Sequence, residues 1–207
     1  MMRSDVGGNE MGALAIGIVI VAFFLGAIPF GYLLARLRFQ TDIRQHGSQN
    51  IGATNVARTF GLSTGLIVLG LDALKGILAV QLAYWVTPAH PAWAALAGFF
   101  AVLGHVFSPF MRFKGGKGIA CGLGVVISLF WPAALGAALV FAGVVLIFRI
   151  VSVASLMGMI AALVTLWAAG RFVDLWYFAV PTVILALWAH RKNWERLIQG
   201  KEPRFGR

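Results

Sequence analysis

The sequence predicts an all-α, polytopic integral membrane protein of seven transmembrane helices, with the N-terminus outside and the C-terminus in the cytoplasm. Three observations carry that prediction. The composition is 60% hydrophobic and only 12% charged, with mean hydropathy +0.86, whereas a soluble domain carries about 25% charged residues. The apolar residues form uninterrupted runs near the ~20 residues that a bilayer core requires. The basic residues cluster at alternate ends of those runs, as the positive-inside rule demands.

The first run, residues 11–35, is too long for the apolar region of a secretory signal, and no small-residue cleavage site follows it. It reads as a retained span. Further runs cover residues 62–86, 92–107, 119–148, 150–170 and 172–189. The fourth is long for a single helix, and Trp131-Pro132 near its middle is a natural break.

Charge decides whether that run crosses once or twice. Of 17 Lys and Arg, 14 fall in one set: Arg36, Arg38, Arg44, Arg58, Arg112, Lys114, Lys117, Arg149, Arg191, Lys192, Arg196, Lys201, Arg204 and Arg207. Arg3 and Arg171 lie at the opposite ends, and Lys75 lies inside a span. With the rich set cytoplasmic, Lys117 and Arg149 share a side, so an even number of crossings separates them and the run is a hairpin. Its first arm, residues 119–130, is only about 18 Å long at ~1.5 Å per residue. Such an arm starts deep, is tilted, or is partly irregular where it faces protein or a wet cavity.

The whole chain, 1–207, reads as one membrane-embedded domain, with residues 1–10 and 201–207 expected to be mobile. The net charge of +10 is dispersed over four cytoplasmic segments. Orientation and attraction to anionic headgroups of membrane lipid account for it, and nucleic acid is not an expected partner. The lone Cys121 forms no internal disulfide and reads as a small packing residue.

On this topology the polar segments converge on one face. The stretch HGSQNIGATNVARTFG, residues 46–61, places Ser48 and Asn50 two apart, with Thr54, Asn55 and Arg58 one or two helical turns later. A helix beginning near Ile51 would use Asn50 or Ser48 as its cap. Capping accounts for one such group and not for five. Neutral donors and acceptors beside one Arg suit a ligand that carries hydroxyls and phosphate. In FKGGKG, residues 113–118, Gly115, Gly116 and Gly118 let backbone N–H groups approach an anion. Lys114 and Lys117 add charge, and a following helix would aim its N-terminus at the same point. The motif is not a Walker A loop, because Met111 stands where the first glycine belongs and Gly118 follows Lys117. Ser152 and Ser155, after Arg149, and HRKNWER, residues 190–196, lie on the same face.

These motifs resemble the bacterial acyl-phosphate-dependent glycerol-3-phosphate acyltransferases, the PlsY family. The resemblance covers residues 20–197 and rests on GSQNIGATNVAR (47–58), LDALKG (71–76), GHVF and FKGGKG (104–118), VSVAS (151–155) and HRKN (190–193). It implies a seven-helix enzyme of the bacterial plasma (inner) membrane with a cytoplasmic active site. The implied reaction moves a fatty acyl group from acyl phosphate to the 1-hydroxyl of glycerol 3-phosphate, giving lysophosphatidic acid and inorganic phosphate, the entry step of phospholipid synthesis. The matching positions imply that Ser48, Asn50, Arg58, Lys117, Ser155, His190 and Asn193 surround the two phosphates and the acceptor hydroxyl. The catalytic base is either the donor phosphate or His190. The chain departs from the family pattern at Ser108-Pro109, at Cys121 and at Ala189, where an Arg commonly precedes the His.

Other readings are weaker. Asp72 and Lys75, one turn apart inside a span, suit an internal ion pair better than a proton relay. A transporter would need ionisable groups on several helices at membrane depth. A lipid phosphatase would need a His nucleophile among arginines or a carboxylate cluster, and the chain has seven scattered acidic residues. No metal, cofactor or obligatory protein partner is indicated.

Overall fold

In the computed structural model the backbone is described for residues 3–88 and 90–206, and side chains from residue 12 onward. The described residues are helical, with no strands: α1 (Arg3–Ala27), α2 (Phe30–Phe39), α3 (Ala53–Phe60), α4 (Leu62–Val86), α5 (Pro91–Val106), α6 (Ile119–Phe148), α7 (Val151–Ala168), α8 (Phe172–Ala189) and α9 (Arg191–Ile198). Six stretches are long and apolar enough to cross a membrane: Gly12–Phe39, Leu62–Val86, Pro91–Met111, Ile119–Phe148, Val151–Ala168 and Phe172–Ala189. The chain is a multi-pass membrane protein. Leu14, Leu139, Leu146 and Ile184 are more than half exposed, which is the expected outcome when apolar lipid covers the outer face.

The first run is not one straight helix. Pro29 supplies no N–H, so α1 ends at Ala27 and α2 restarts at Phe30. The freed carbonyls find side-chain donors: Ser108 Oγ bonds Ala27 O at 2.6 Å, and Lys75 Nζ bonds Ile28 O at 2.8 Å. Ser108, one of the departures noted above, is thus a buried tie between the end of α5 and the break after α1.

The long run bends at Phe130, whose φ of −161° and ψ of 87° are not helical. A straight helix would separate Ile119 from Phe141 by about 33 Å at ~1.5 Å per residue. Both nevertheless line one cavity of about 110 Å³, so the chain folds back on itself between them. At the bend, the Arg171 guanidinium sits 6.0 Å from the Phe130 ring centroid, at the start of α8. The first arm packs closely on α4: Gly76 lies against the Cys121 carbonyl, and Gly124 lies against that of Ala73. A Cβ at either position would collide with backbone, so both crossings require glycine. Gly65 packs on Ala57, and Gly118 is the left-handed cap of α6.

α1 begins at Arg3, inside the stretch expected to be mobile. Residues 201–206 return to the bundle, where Phe205 N donates to Arg149 O at 2.6 Å; residue 207 lies outside the described residues.

Candidate active site

The loop after α2 is built around Asn55. This side chain is 1% exposed. Its Oδ1 accepts from Ser48 N at 2.8 Å, and its Nδ2 donates to His46 O and Asn50 O, both at 2.9 Å. Every polar atom of Asn55 is therefore committed to holding the loop. α3 begins at Ala53 rather than near Ile51, with Gly52 as its cap and no side-chain capping bond. Asn50 Oδ1 instead accepts from Gly52 N at 2.9 Å, a turn that keeps Asn50 beside the cavity. Ser48, Asn50, Thr54 and Arg58 line that cavity. Arg58 Nη2 donates to Pro203 O at 3.0 Å, while its Nε is buried without an acceptor. Burial draws the guanidinium pKa down from its ordinary value.

The glycine loop works differently from the sequence expectation. Gly115 N donates to Val106 O, and Gly116 N to His105 O, both at 3.0 Å. These two N–H groups tie the loop to the end of α5 and are not available to an anion. Neither glycine lines the cavity, and Lys114 is exposed away from it. Lys117, Gly118, Ile119 and Ala120 do line it. The anion-facing donors are thus the Lys117 ammonium and the N-terminus of α6, whose first N–H groups have no intrahelical partner. Burial, the dominant cause, pulls the Lys117 pKa down from 10.5 to about 8; Arg196 and Arg58 add to the fall and Glu202 opposes it.

Ser152, Ser155, His190 and Asn193 close the same cavity. His190 is 1% exposed. Its Nδ1 lies 2.8 Å from Ala186 O, and a carbonyl only accepts, so Nδ1 carries the proton and Nε2 is left as an acceptor. Burial first, and the Lys117 charge second, push the imidazole pKa down to about 4.

Sequence reasoning missed Arg196 and Glu202. The Glu202 carboxylate accepts from Ser152 Oγ at 2.7 Å, Asn193 Nδ2 at 2.6 Å and Arg196 Nε at 2.7 Å. Burial alone would raise its pKa, but these bonds hold it below the usual carboxylate range. A tail rich in Lys, Pro, Arg and Gly carries no periodic signal. The only pointer was an acid in a basic segment. Asn193 Oδ1, like Arg58 Nε, is buried with no partner. The cavity wall therefore offers an unmatched acceptor as well as an unmatched donor.

Behind the glycine loop lies the expected ion pair, with Lys75 Nζ 2.8 Å from Asp72 Oδ1 and both side chains 2% exposed. His105 Nδ1 is 3.6 Å from the same oxygen, and its Nε2 abuts Gly116, where any side chain would collide with the ring. Asp72 and His105 reach the cavity wall. Among the described residues, no group of three or more His, Cys, Asp or Glu is placed to hold a metal ion.

Leu69, Lys117, Gly118, Ile119, Ala120, Phe141 and Ser155 also line a second cavity of about 260 Å³ that runs between α6, α7 and α8. Apart from Lys117 and Ser155 at its mouth, Thr182 is the only polar side chain in its wall.

Comparison with known proteins agrees with this geometry. The sequence profile of the family described as glycerol-3-phosphate acyltransferase matches residues 16–200. A glycerol-3-phosphate acyltransferase of Synechococcus sp. (strain JA-2-3B'a(2-13)) is 42% identical over 192 residues, 93% of this chain and 95% of the relative. One from Bradyrhizobium diazoefficiens is 43% identical over 188 residues, 91% of this chain and 93% of the relative. The crystal structure of PlsY (YgiH), an integral membrane glycerol 3-phosphate acyltransferase, superposes in its glycerol 3-phosphate form with TM-score 0.88. It is 40% identical and covers 93% of this chain and 96% of that one. The lysophosphatidic acid form gives TM-score 0.85 at 38% identity, covering 93% and 95%. The chain belongs to the glycerol-3-phosphate acyltransferase family.

Proposed function

We propose that this family member transfers a fatty acyl group from acyl phosphate to the 1-hydroxyl of glycerol 3-phosphate, releasing lysophosphatidic acid and inorganic phosphate at the start of phospholipid synthesis. One observation carries the reading: a cationic, hydroxyl- and amide-lined cavity adjoins an apolar one, and Lys117 and Ser155 line both. A molecule with a phosphate head and a hydrocarbon tail fits that pair of spaces. The relatives are named for glycerol 3-phosphate, and one crystal form is that of lysophosphatidic acid.

The glycerol oxygen attacks the acyl carbonyl, and the bond from carbonyl carbon to phosphate oxygen breaks. The hydroxyl proton passes to the departing phosphate. In this reading the donor is the base, because its phosphate gains negative charge as the bond to the carbonyl carbon breaks, and His190 Nε2, left as an acceptor by the Nδ1 contact to Ala186 O, orients a hydroxyl. Lys117, Arg58 and the α6 N-terminus stabilise the charge that develops on phosphate and carbonyl oxygens. Ser48 binds substrate. Its Oγ has no His or carboxylate partner among the described residues, and the nearby His46 bonds Thr41 Oγ1 at 2.9 Å. Asn55 and Glu202 hold the walls in place without taking part in chemistry.

The topology that goes with this reading has seven crossings, α6 supplying two, with the cavity on the cytoplasmic face of the bacterial plasma membrane. Lys117 and Arg149 lie at the cavity end of α6 and Arg171 near its bend, which supports that orientation.

The direct test is to give the purified protein palmitoyl phosphate and glycerol 3-phosphate and to measure lysophosphatidic acid and inorganic phosphate. Intersecting initial-rate lines and no label on denatured protein from radiolabelled donor alone are expected. Activity with an acyl thioester in place of acyl phosphate would overturn the donor assignment. Stable label that disappears in Ser48→Ala would make Ser48 a nucleophile.

A further inference from the structure

The apolar cavity has a definite depth. On α7 its wall runs from Ser155 at the mouth through Gly158 and Ala162 to Leu166, a descent of about 16 Å at ~1.5 Å per residue. That is close to one leaflet of a bilayer core about 30 Å thick. On α8 the wall descends from Ala186 to Phe178, and on the first arm of α6 from Ile119 to Val126. All three walls thus go down from the same mouth. Below them the space is filled: Leu129, Ala133 and Leu175 are buried and pack with Leu166 and Phe178 in one hydrophobic cluster. Leu166 is 2% and Phe178 4% exposed. The wall is kept wide by small residues, Ala137, Ala138, Gly158, Ala162 and Ala179.

Resting on the acyl-transfer reading above, we infer that this cavity is a chain-length gauge, with Leu166 and Phe178 as its floor. Carbon–carbon bonds of about 1.52 Å at tetrahedral angles advance an extended alkyl chain by ~1.25 Å per carbon. The floor lies about 12 Å down along α8, at Phe178, and about 16 Å down along α7, at Leu166, so the cavity accepts roughly 10 to 13 carbons beyond the mouth and donors up to about 14 carbons are preferred. A chain of about 18 carbons must displace the floor, and forcing several extra methylenes into a close-packed interior is unfavourable enough to cost about tenfold or more in rate. Because the chain arrives from lipid and not from water, shorter chains lose contact in the cavity but gain no hydration penalty. Selectivity is then sharp on the long side and shallow on the short side.

The test is competition between myristoyl and stearoyl phosphate, equimolar in one mixed micelle, with the lysophosphatidic acids resolved by mass spectrometry. A ratio of two products from one preparation is independent of how much protein has folded. The wild type should favour the 14-carbon product by about tenfold or more. Leu166→Ala with Phe178→Ala should bring the ratio close to one. Ala162→Phe, which raises the floor to about 10 Å below Ser155 at ~1.5 Å per residue, should shift preference to donors of about 8 to 10 carbons. An unchanged ratio in both variants would overturn the gauge while leaving acyl transfer intact, and would mean that the chain leaves the cavity sideways into lipid. Absence of product from every donor would remove the acyl-transfer reading and the gauge with it.

Discussion

Lys117 offers the most searching test of the site, because its environment has a measurable signature. Holding its ammonium where the pKa falls from 10.5 to about 8 corresponds to a desolvation cost of roughly 3 kcal/mol at ~1.4 kcal/mol per tenfold. That cost is present before substrate arrives, so a bound phosphate meets a charge already stripped of most water. Lys117→Ala should then reduce kcat/KM by about 100- to 1000-fold, the range for losing one charge-stabilising donor in a dry site. The fold should survive, since the side chain makes no hydrogen bond within the protein among those described. The pH dependence follows from the same shift. The charged form binds phosphate, so kcat/KM is full below about pH 8 and falls as pH rises through it. Bound phosphate favours the ammonium, so the corresponding limb in kcat lies at higher pH. Steady-state phosphate release in detergent between pH 6 and 10 measures both limbs. Lys117→Arg, permanently charged, should retain some activity and lose the alkaline limb. A limb near pH 8 that persists in Lys117→Arg, or a loss under tenfold in Lys117→Ala, would refute the assignment.

Lys114→Ala, outside the cavity, should stay within about twofold of wild type, as substitutions away from a buried feature usually do. Asn55→Ala leaves Ser48 N, His46 O and Asn50 O short of a partner, and should lower stability by about 2 to 3 kcal/mol in denaturant unfolding, with activity falling even at temperatures where the protein is folded. Glu202→Ala strands the half-buried Arg196 and the buried Asn193 and Ser152 groups. Its expected cost is about 3 kcal/mol or more, read as loss of the detergent-stable protein, whereas an unaffected enzyme would show that the tail is dispensable. Cysteines at positions 114 and 131, both exposed, should label from opposite sides of the membrane. Same-sided labelling would eliminate the double crossing of α6.

Residue types and their order were enough to determine the all-helical, multi-pass class and where the apolar helices run. Apolar runs of bilayer length leave a helix little alternative, because lipid offers no hydrogen-bond partner to an open backbone. The length of the run and Trp131-Pro132 pointed to a break near its middle, and the helix is interrupted at Phe130. Four of the motifs put Ser48, Asn50, Arg58, Lys117, Ser155, His190 and Asn193 on one side, and in the structure these residues line one cavity. What the linear pattern could not decide is which polar group spends its hydrogen bonds on protein and which keeps them for a ligand. Asn55 and Asn50 look alike in sequence, but only the folded loop commits every polar atom of Asn55. Gly115 and Gly116 have the composition of an anion cradle, and the end of α5 consumes their N–H groups. The break at Pro29 was readable as a proline, but not the Ser108 and Lys75 donors that satisfy it. Glu202 is nine residues from Asn193 and 50 from Ser152 in the chain, and only tertiary packing places one carboxylate within reach of both. Hydrogen bonds are settled by distances of a few tenths of an ångström, whereas helix and span are settled by averages over twenty residues, and sequence carries the averages.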